Sequence, residues 1–224
     1  MANSFRSIFD IIGPVMVGPS SSHTAGAVRI GRMARAIYGA QPTHAKITFY
    51  GSFAHTYQGH GTDVAVISGL LGFETFDQRI RDAYDHAAAE GLNIEILVSE
   101  DPVDNPNTVK LELSGTQKPI SITGVSVGGG AYLISNINGF PCNLDGELPA
   151  LLVIHPDRAG AIAAVTSVLA NFSINVAHME VSRHEKGDMA LMIIETDERL
   201  SDEILRELDK LSQVERVIPV RKIH

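Results

Sequence analysis

Ser20, Ser21, Ser22, His23 and Thr24 stand in a row between a Gly18-Pro19 turn and Ala25-Gly26, just ahead of a helical stretch. Hydroxyls at a helix start sit beside N–H groups that lack intrahelical partners, and the helix dipole adds partial positive charge there. The run is therefore a candidate site for a carboxylate or another small anion. His23 adds a group able to trade protons near neutrality. A single Ser or Thr would be an ordinary helix cap, but five polar residues in succession exceed what capping needs. The second constellation is Gly59-His60-Gly61-Thr62-Asp63. Its glycines leave His60 little side-chain cover and let the backbone approach a ligand or another chain. Thr62 or Asp63 then caps a following helix, giving a second anion-accepting end. The plainer reading of the pentapeptide alone is a tight turn with an exposed histidine. Gly128-Gly129-Gly130 is a third loop permitting close approach, weak as a signal by itself. His44 and His55 match no common metal-ligand spacing with His60, so no metal site is expected in this chain.

The elements that must hold these residues fall into two patterns. Residues 1–144 alternate short β-rich runs with helical stretches and many glycines. Ala27, Val28, Ile30, Met33, Ala34, Ile37 and Tyr38 recur at helical spacing, and Gly39 is the expected stop. Strands are expected over 45–50, 93–98, 108–113, 120–127 and 132–137, with a helix over 63–71 and a loop over 101–107. This is an α+β or α/β domain whose strand order the sequence does not give. Residues 140–147 read as a linker. Residues 148–224 form a second domain with a βαββαβ pattern: strands at 149–155, 175–182, 189–195 and 214–220, and two helices between them. The first helix carries Ile162, Val165, Val168 and Leu169 on one face. The second is capped by Ser201, with Asp202 and Glu203 in its first turn and Ile204, Leu205, Leu208 and Leu211 facing inward. This order is that of the ferredoxin-like split βαβ fold, so the chain as a whole is of the α+β class.

Composition narrows the function. The chain has 224 residues, 44% hydrophobic and 20% charged, as expected of a globular protein. Its formal net charge of -8 argues against nucleic acid, because no basic stripe is present to meet phosphates. Cys142 is the single cysteine, which excludes an intrachain disulfide and fits a reducing compartment. One thiol also cannot hold an iron–sulfur cluster or a structural zinc thiolate set; its expected role is that of a small buried group. No secretory leader and no run of bilayer length is evident, so no membrane association and a cytoplasmic location are expected.

From residue 148 onward the chain resembles an ACT domain, the amino-acid-sensing module of metabolic enzymes. The resemblance rests on His155-Pro156-Asp157-Arg158-Ala159-Gly160, the apolar helix after it, and Asn171-Phe172-Ser173-Ile174-Asn175-Val176. It implies that backbone N–H groups of the Asp157, Arg158, Ala159 and Gly160 turn bind a small amino-acid effector, or that the domain serves self-association alone. ACT domains commonly carry Pro where Ala159 stands. Over essentially its whole length the chain resembles the beta subunits of bacterial iron–sulfur-dependent L-serine dehydratases. The residues carrying this are the Ser20–Thr24 run, Tyr50-Gly51-Ser52, the Gly59–Asp63 pentapeptide, Asn105-Pro106-Asn107-Thr108 and Val127-Gly128-Gly129-Gly130. The first domain is also similar in fold to the allosteric substrate-binding domain of some D-3-phosphoglycerate dehydrogenases.

The resemblance implies conversion of L-serine to pyruvate and ammonia together with an alpha subunit that holds the 4Fe-4S cluster, in keeping with the lone cysteine here. It makes His60 the first choice for the base that takes the Cα proton, with His23 the runner-up. It assigns the substrate carboxylate to Ser20, Ser21, Ser22 and Thr24, with Thr62 and Asp63 completing the substrate site. A pyridoxal phosphate route would need a Schiff-base lysine, and the lysines, Lys46 among them, lie outside the Gly- and Ser-rich loops. A different class of function stays open at this stage: a non-catalytic amino-acid sensor regulating a partner.

Overall fold

A computed structural model describes residues 15–223, which separate into two compact units, the first running to Ser135 and the second starting at Asn136. In the first unit α1 (Gly26–Tyr38) buries its apolar stripe completely: Ala27, Val28, Ile30, Met33, Ala34, Ile37 and Tyr38 are all inaccessible. Gly39 ends the helix at φ +85 in the left-handed conformation, as its position in the sequence predicts. β1 (His44–Tyr50) leads to α2 (Gly51–His60) and α3 (Thr62–Leu70). After α4 (Ala83–Ala89) come β2 (Asn93–Ser99), β3 (Asn107–Ser114), β4 (Ile120–Gly128) and β5 (Ala131–Ile137).

These strands stand in the order β2-β1-β3-β4-β5. β1 pairs parallel with β2 and antiparallel with β3, so the sheet is mixed. α1 lies on α3 with almost no space between them. A Cβ built at Gly31 would fall 2.4 Å from the Val66 carbonyl oxygen, and one at Gly69 only 2.1 Å from that of Val28. The two glycines let the backbones touch, and that contact fixes the angle at which α3 presents its first residues.

Two expectations fail here. The stretch after β1 is a helix, α2, where the sequence suggested only a turn around His60. It shows no strong amphipathic stripe, burying just Phe53 and Ala54. The cap of α3 is Gly61, at φ +66, and not Thr62 or Asp63, both of which are inside the helix.

The second unit begins at the end of β5. Asn138 and Gly139, both at positive φ, turn the chain into β6 (Phe140–Leu144). The presumed linker at 140–147 is thus partly a strand. Phe140, Cys142 and Leu144 point inward while Pro141 and Asn143 face out, a period of two. The ring of Phe140 stacks on His184 at 4.1 Å, and the Asn143 N–H donates to Glu180. β7 (Ala150–Pro156), α5 (Ala161–Asn171), β8 (Val176–Arg183), β9 (Met189–Thr196), α6 (Asp202–Asp209) and β10 (Arg216–Val220) then give the expected βαββαβ order, with an antiparallel sheet β10-β7-β9-β8. Leu151, Val153, Met192 and Ile194 meet Val165, Leu169, Ile204 and Leu208 in one core. Ser201 caps α6 by accepting the Ile204 N–H. Ile162 does not join the inward face of α5; it is 43% exposed. Among the described residues no helix is long and apolar enough to cross a membrane.

Candidate active site

The Ser-rich run is a helix start of unusual form. Ser20, extended at φ -138, accepts the His23 N–H on its hydroxyl, and Ser21–Ala25 form one wide π turn that runs directly into α1. Single π turns of this kind recur at functional sites. Two glycines make it fit. Gly18 sits at φ +139, where a Cβ would strike the Thr24 hydroxyl at 2.4 Å, and a Cβ on Gly26 would lie 2.3 Å from Ser126 Oγ.

α2 and α3 meet at His60-Gly61-Thr62, and this junction stands beside the π turn. The rings of His23 and His60 are 4.7 Å apart at 70°, edge to face. Phe53, one turn into α2, covers His23 from another side at 5.1 Å. His23 Nδ1 lies 3.3 Å from Ser20 Oγ, and its Nε2 lies 3.3 Å from Ser52 Oγ. Burial first, and the neighbouring His60 second, hold the His23 pKa below the ordinary histidine value, so the ring is favoured neutral.

Several polar atoms here lack partners among the described residues. His60 Nδ1, Thr24 Oγ1, Thr62 Oγ1 and Ser126 Oγ are buried and accept or donate no hydrogen bond. Buried polar groups are nearly always paired, so a cluster of unpaired ones is a mark of a site awaiting a ligand, a water or another chain. Asp63 is different: its carboxylate accepts from the Tyr84 hydroxyl at 3.0 Å. Burial and then that carboxylate push the Tyr84 phenol well above its usual pKa, keeping it a proton donor.

The structure thus brings His23, His60 and Ser20 together at one helix start. Thr24 and Thr62 have buried hydroxyls within the elements that form it, and Ser21 and Ser22 sit half-buried on the same turn. Asp63 is engaged with α4 and is not shown near the imidazoles. Ser52, Phe53 and Tyr84 were not singled out as site residues from the sequence. Only Ser52 had a local signal, following a glycine that must adopt φ +53 against Pro106. The Gly128–Gly130 loop, all three residues at positive φ, is tied to α1 by Arg29 Nη1 donating to the Gly130 carbonyl at 2.8 Å.

Chemically, the arrangement offers two imidazoles for proton transfer, that of His23 favoured neutral, beside hydroxyls and helix-start N–H groups for an anion. It does not offer a cluster. Among the described residues no group of three or more His, Cys, Asp or Glu is placed to hold a metal ion, and burial pushes the Cys142 thiol up to about 12. This chain's own residues do not fit an iron–sulfur centre.

In the second unit, the turn at 157–160 is exposed and largely closed on itself. Asp157 accepts from Arg183 at 2.6 Å and from the Gly187 N–H at 3.0 Å, and these bonds hold its carboxyl below the usual carboxylate range. The N–H groups of Asp157 and Arg158 are also taken, by the carbonyls of Asp188 and Pro156. Gly160, at φ +93, precedes α5 with open space around the position of a Cβ.

Comparison with known proteins agrees with this division. Residues 7–101 match the serine dehydratase beta chain family, and residues 150–213 match the ACT domain. A probable L-serine dehydratase beta chain of Bacillus subtilis is 53% identical over 96% of this chain and 98% of its own length. The L-serine dehydratase beta chain of Peptoniphilus asaccharolyticus is 37% identical over 88% of this chain and 90% of its own. A D-3-phosphoglycerate dehydrogenase of Synechocystis is 25% identical over 87% of this chain but only 35% of its own length. The chain belongs to the L-serine dehydratase beta chain family, with an N-terminal mixed-sheet domain followed by a C-terminal ACT domain.

Proposed function

We propose that this chain is the beta subunit of an L-serine dehydratase, active only when joined to an alpha subunit and converting L-serine to pyruvate and ammonia in the cytoplasm. The observation that supports this most is the His23–His60 pair, with His60 Nδ1 buried and without a partner among the described residues, beside a hydroxyl-rich helix start. The reaction needs a base at Cα, a carboxylate holder, and help for a hydroxide that leaves poorly. On this reading His60 takes the Cα proton and His23 is the second candidate. Ser20, Ser21, Ser22 and Thr24, with the N–H groups of the π turn, hold the carboxylate. Thr62 and Asp63, at the start of α3, complete the substrate site. A 4Fe-4S cluster would be held by the alpha chain and would supply Lewis acidity for the departing hydroxide. Loss of the Cα proton and the β-hydroxyl leaves aminoacrylate, which hydrolyses to the products.

The ACT domain tunes this activity through an amino acid bound at the turn Asp157, Arg158, Ala159 and Gly160, by the N–H groups left at Ala159 and Gly160, and contributes to self-association; the domains are taken as 1–144 and 148–224. The test is an anaerobic pyruvate assay on this chain alone, then mixed with the alpha chain. The reading requires no turnover and no cluster absorbance from this chain by itself, and turnover on mixing. Serine binding by this chain with no activity under any mixing would favour a sensor instead.

A further inference from the structure

We propose that Ser52 is a positioning residue that fixes the tautomer and orientation of His23, and so leaves His60 as the group that accepts a proton. The inference rests on the dehydratase reading for its consequence, though not for its geometry. Ser52 reaches His23 because of two features of the chain. Gly51 takes φ +53 against the Pro106 backbone, where a Cβ would lie 2.7 Å from the Pro106 carbonyl oxygen. That bend starts α2 so that Ser52 Oγ comes to 3.3 Å from His23 Nε2.

The two contacts fit either tautomer, and the one proposed is that in which the Ser20 hydroxyl donates to the ring. Ser20 Oγ already accepts the His23 backbone N–H at 3.3 Å, as a cap does. Its own hydroxyl hydrogen must point elsewhere, and His23 Nδ1 lies 3.3 Å away. With Ser20 donating, Nδ1 accepts, and a neutral ring then carries its proton on Nε2. Nε2–H donates to Ser52 Oγ. Both nitrogens of His23 are in this way committed to hydroxyls, whereas His60 Nδ1 has no partner among the described residues. Ser52 decides the division of labour: without it the Nε2–H of His23 loses its acceptor, the Nδ1–H form gains population and leaves a basic Nε2 beside His60, and the ring loses the anchor that holds it edge-on at 4.7 Å.

The test has two arms. In the first, the 15N shifts of the His23 imidazole are measured on this chain above the pH of its titration. The Nε2–H form is expected in the native chain, a mixture of both tautomers in Ser52→Ala, and recovery in Ser52→Thr, which keeps the hydroxyl. A native Nδ1–H form, or no change in Ser52→Ala, overturns the proposal. Ser52→Cys, close in size and a poorer partner, replaces alanine if that variant does not fold. In the second arm, serine turnover by the assembled enzyme should fall about 10–100-fold in kcat for Ser52→Ala with a smaller change in KM, and return in Ser52→Thr. That loss is smaller than the about 10⁴-fold seen when a tautomer-fixing carboxylate is removed from a catalytic triad, since a hydroxyl is the weaker anchor. A shifted tautomer with unchanged kcat overturns the positioning role. Absence of turnover in the native assembly instead defeats the dehydratase reading, and the first arm still decides whether Ser52 sets the tautomer.

Discussion

Two turns, one in each unit, treat their polar groups in opposite ways. At the π turn and the α2–α3 junction of the first unit, buried hydroxyls and an imidazole nitrogen have no partners among the described residues. At the 157–160 turn of the second, a half-buried carboxylate and two backbone N–H groups are satisfied by the same unit's own residues. Leaving a buried donor or acceptor unpaired costs about 1–3 kcal/mol, so a fold keeps such a cluster only where something else completes it. A turn closed on itself needs nothing further to be stable. The contrast is in keeping with the proposed function, which puts the chemistry in the first unit and a tuning or assembly role in the second.

The sharpest way to break that contrast is to remove the unpartnered imidazole. In the assembled enzyme, His60→Ala should lower kcat by about 10²–10⁴-fold, the usual worth of a general base. His23→Ala should change KM at least as much as kcat. Exchange of the Cα hydrogen for deuterium, followed by NMR, separates the two. Exchange that survives in His60→Ala and vanishes in His23→Ala reverses the assignment.

The next effect is on the scaffold. Gly69→Ala forces a Cβ to within 2.1 Å of the Val28 carbonyl oxygen across the α1–α3 contact. Relieving that clash requires the α1 and α3 backbones to move apart. We expect a loss of about 1–3 kcal/mol, typical of overpacking, read from urea unfolding of the intact chain. The transition of the second unit should stay where it is. A variant as stable as the native chain would show that the helices can separate freely and that the glycines do not set the site.

Part of this architecture was legible in the sequence, and the reasons for the rest are physical. α1 and the βαββαβ order announced themselves because their apolar residues follow helical or alternating spacing against one core. α2 did not: Gly51, Gly59 and a single buried pair, Phe53 and Ala54, give it no stripe to detect. Its position comes from the Pro106 contact and the left-handed Gly61, both tertiary. β6 hid behind Pro141 and Asn143, which face outward while Phe140, Cys142 and Leu144 alternate inward. The histidines of the site could be named from residue type and neighbours, but their 4.7 Å approach joins segments far apart in sequence. Ser52 and Tyr84 owe their places to that same long-range packing.

A smaller effect concerns pH. The His23 pKa is depressed by burial and by His60, so at acidic pH the unfolded chain binds a proton that the folded chain resists. Stability from this source is complete above the unfolded value of about 6.5 and is lost as the pH falls from there through the lower, folded value. Thermal unfolding of the first unit should therefore move to lower temperature as the buffer goes from neutral into that acid window. His23→Gln should flatten this dependence. An equally steep profile in the variant would assign it to other groups.

The smallest expected effect falls on the second unit, and it tests whether its turn does more than close. Gly160 stands at φ +93, with nothing within 4 Å of where a Cβ would be. A side chain there meets no neighbour, so the cost of Gly160→Ala comes from the left-handed backbone, about 1–2 kcal/mol. If an amino acid does bind by the N–H groups that remain at Ala159 and Gly160, the strained variant should tilt them away and weaken calorimetric binding to the intact chain. Serine turnover by the assembled enzyme should persist, with only the curvature of its serine dependence altered. Binding of no amino acid by the native chain, together with identical kinetics in Gly160→Ala, would remove sensing from the ACT domain. What remained would be the self-closed turn of an assembly module, and the contrast between the units would become complete.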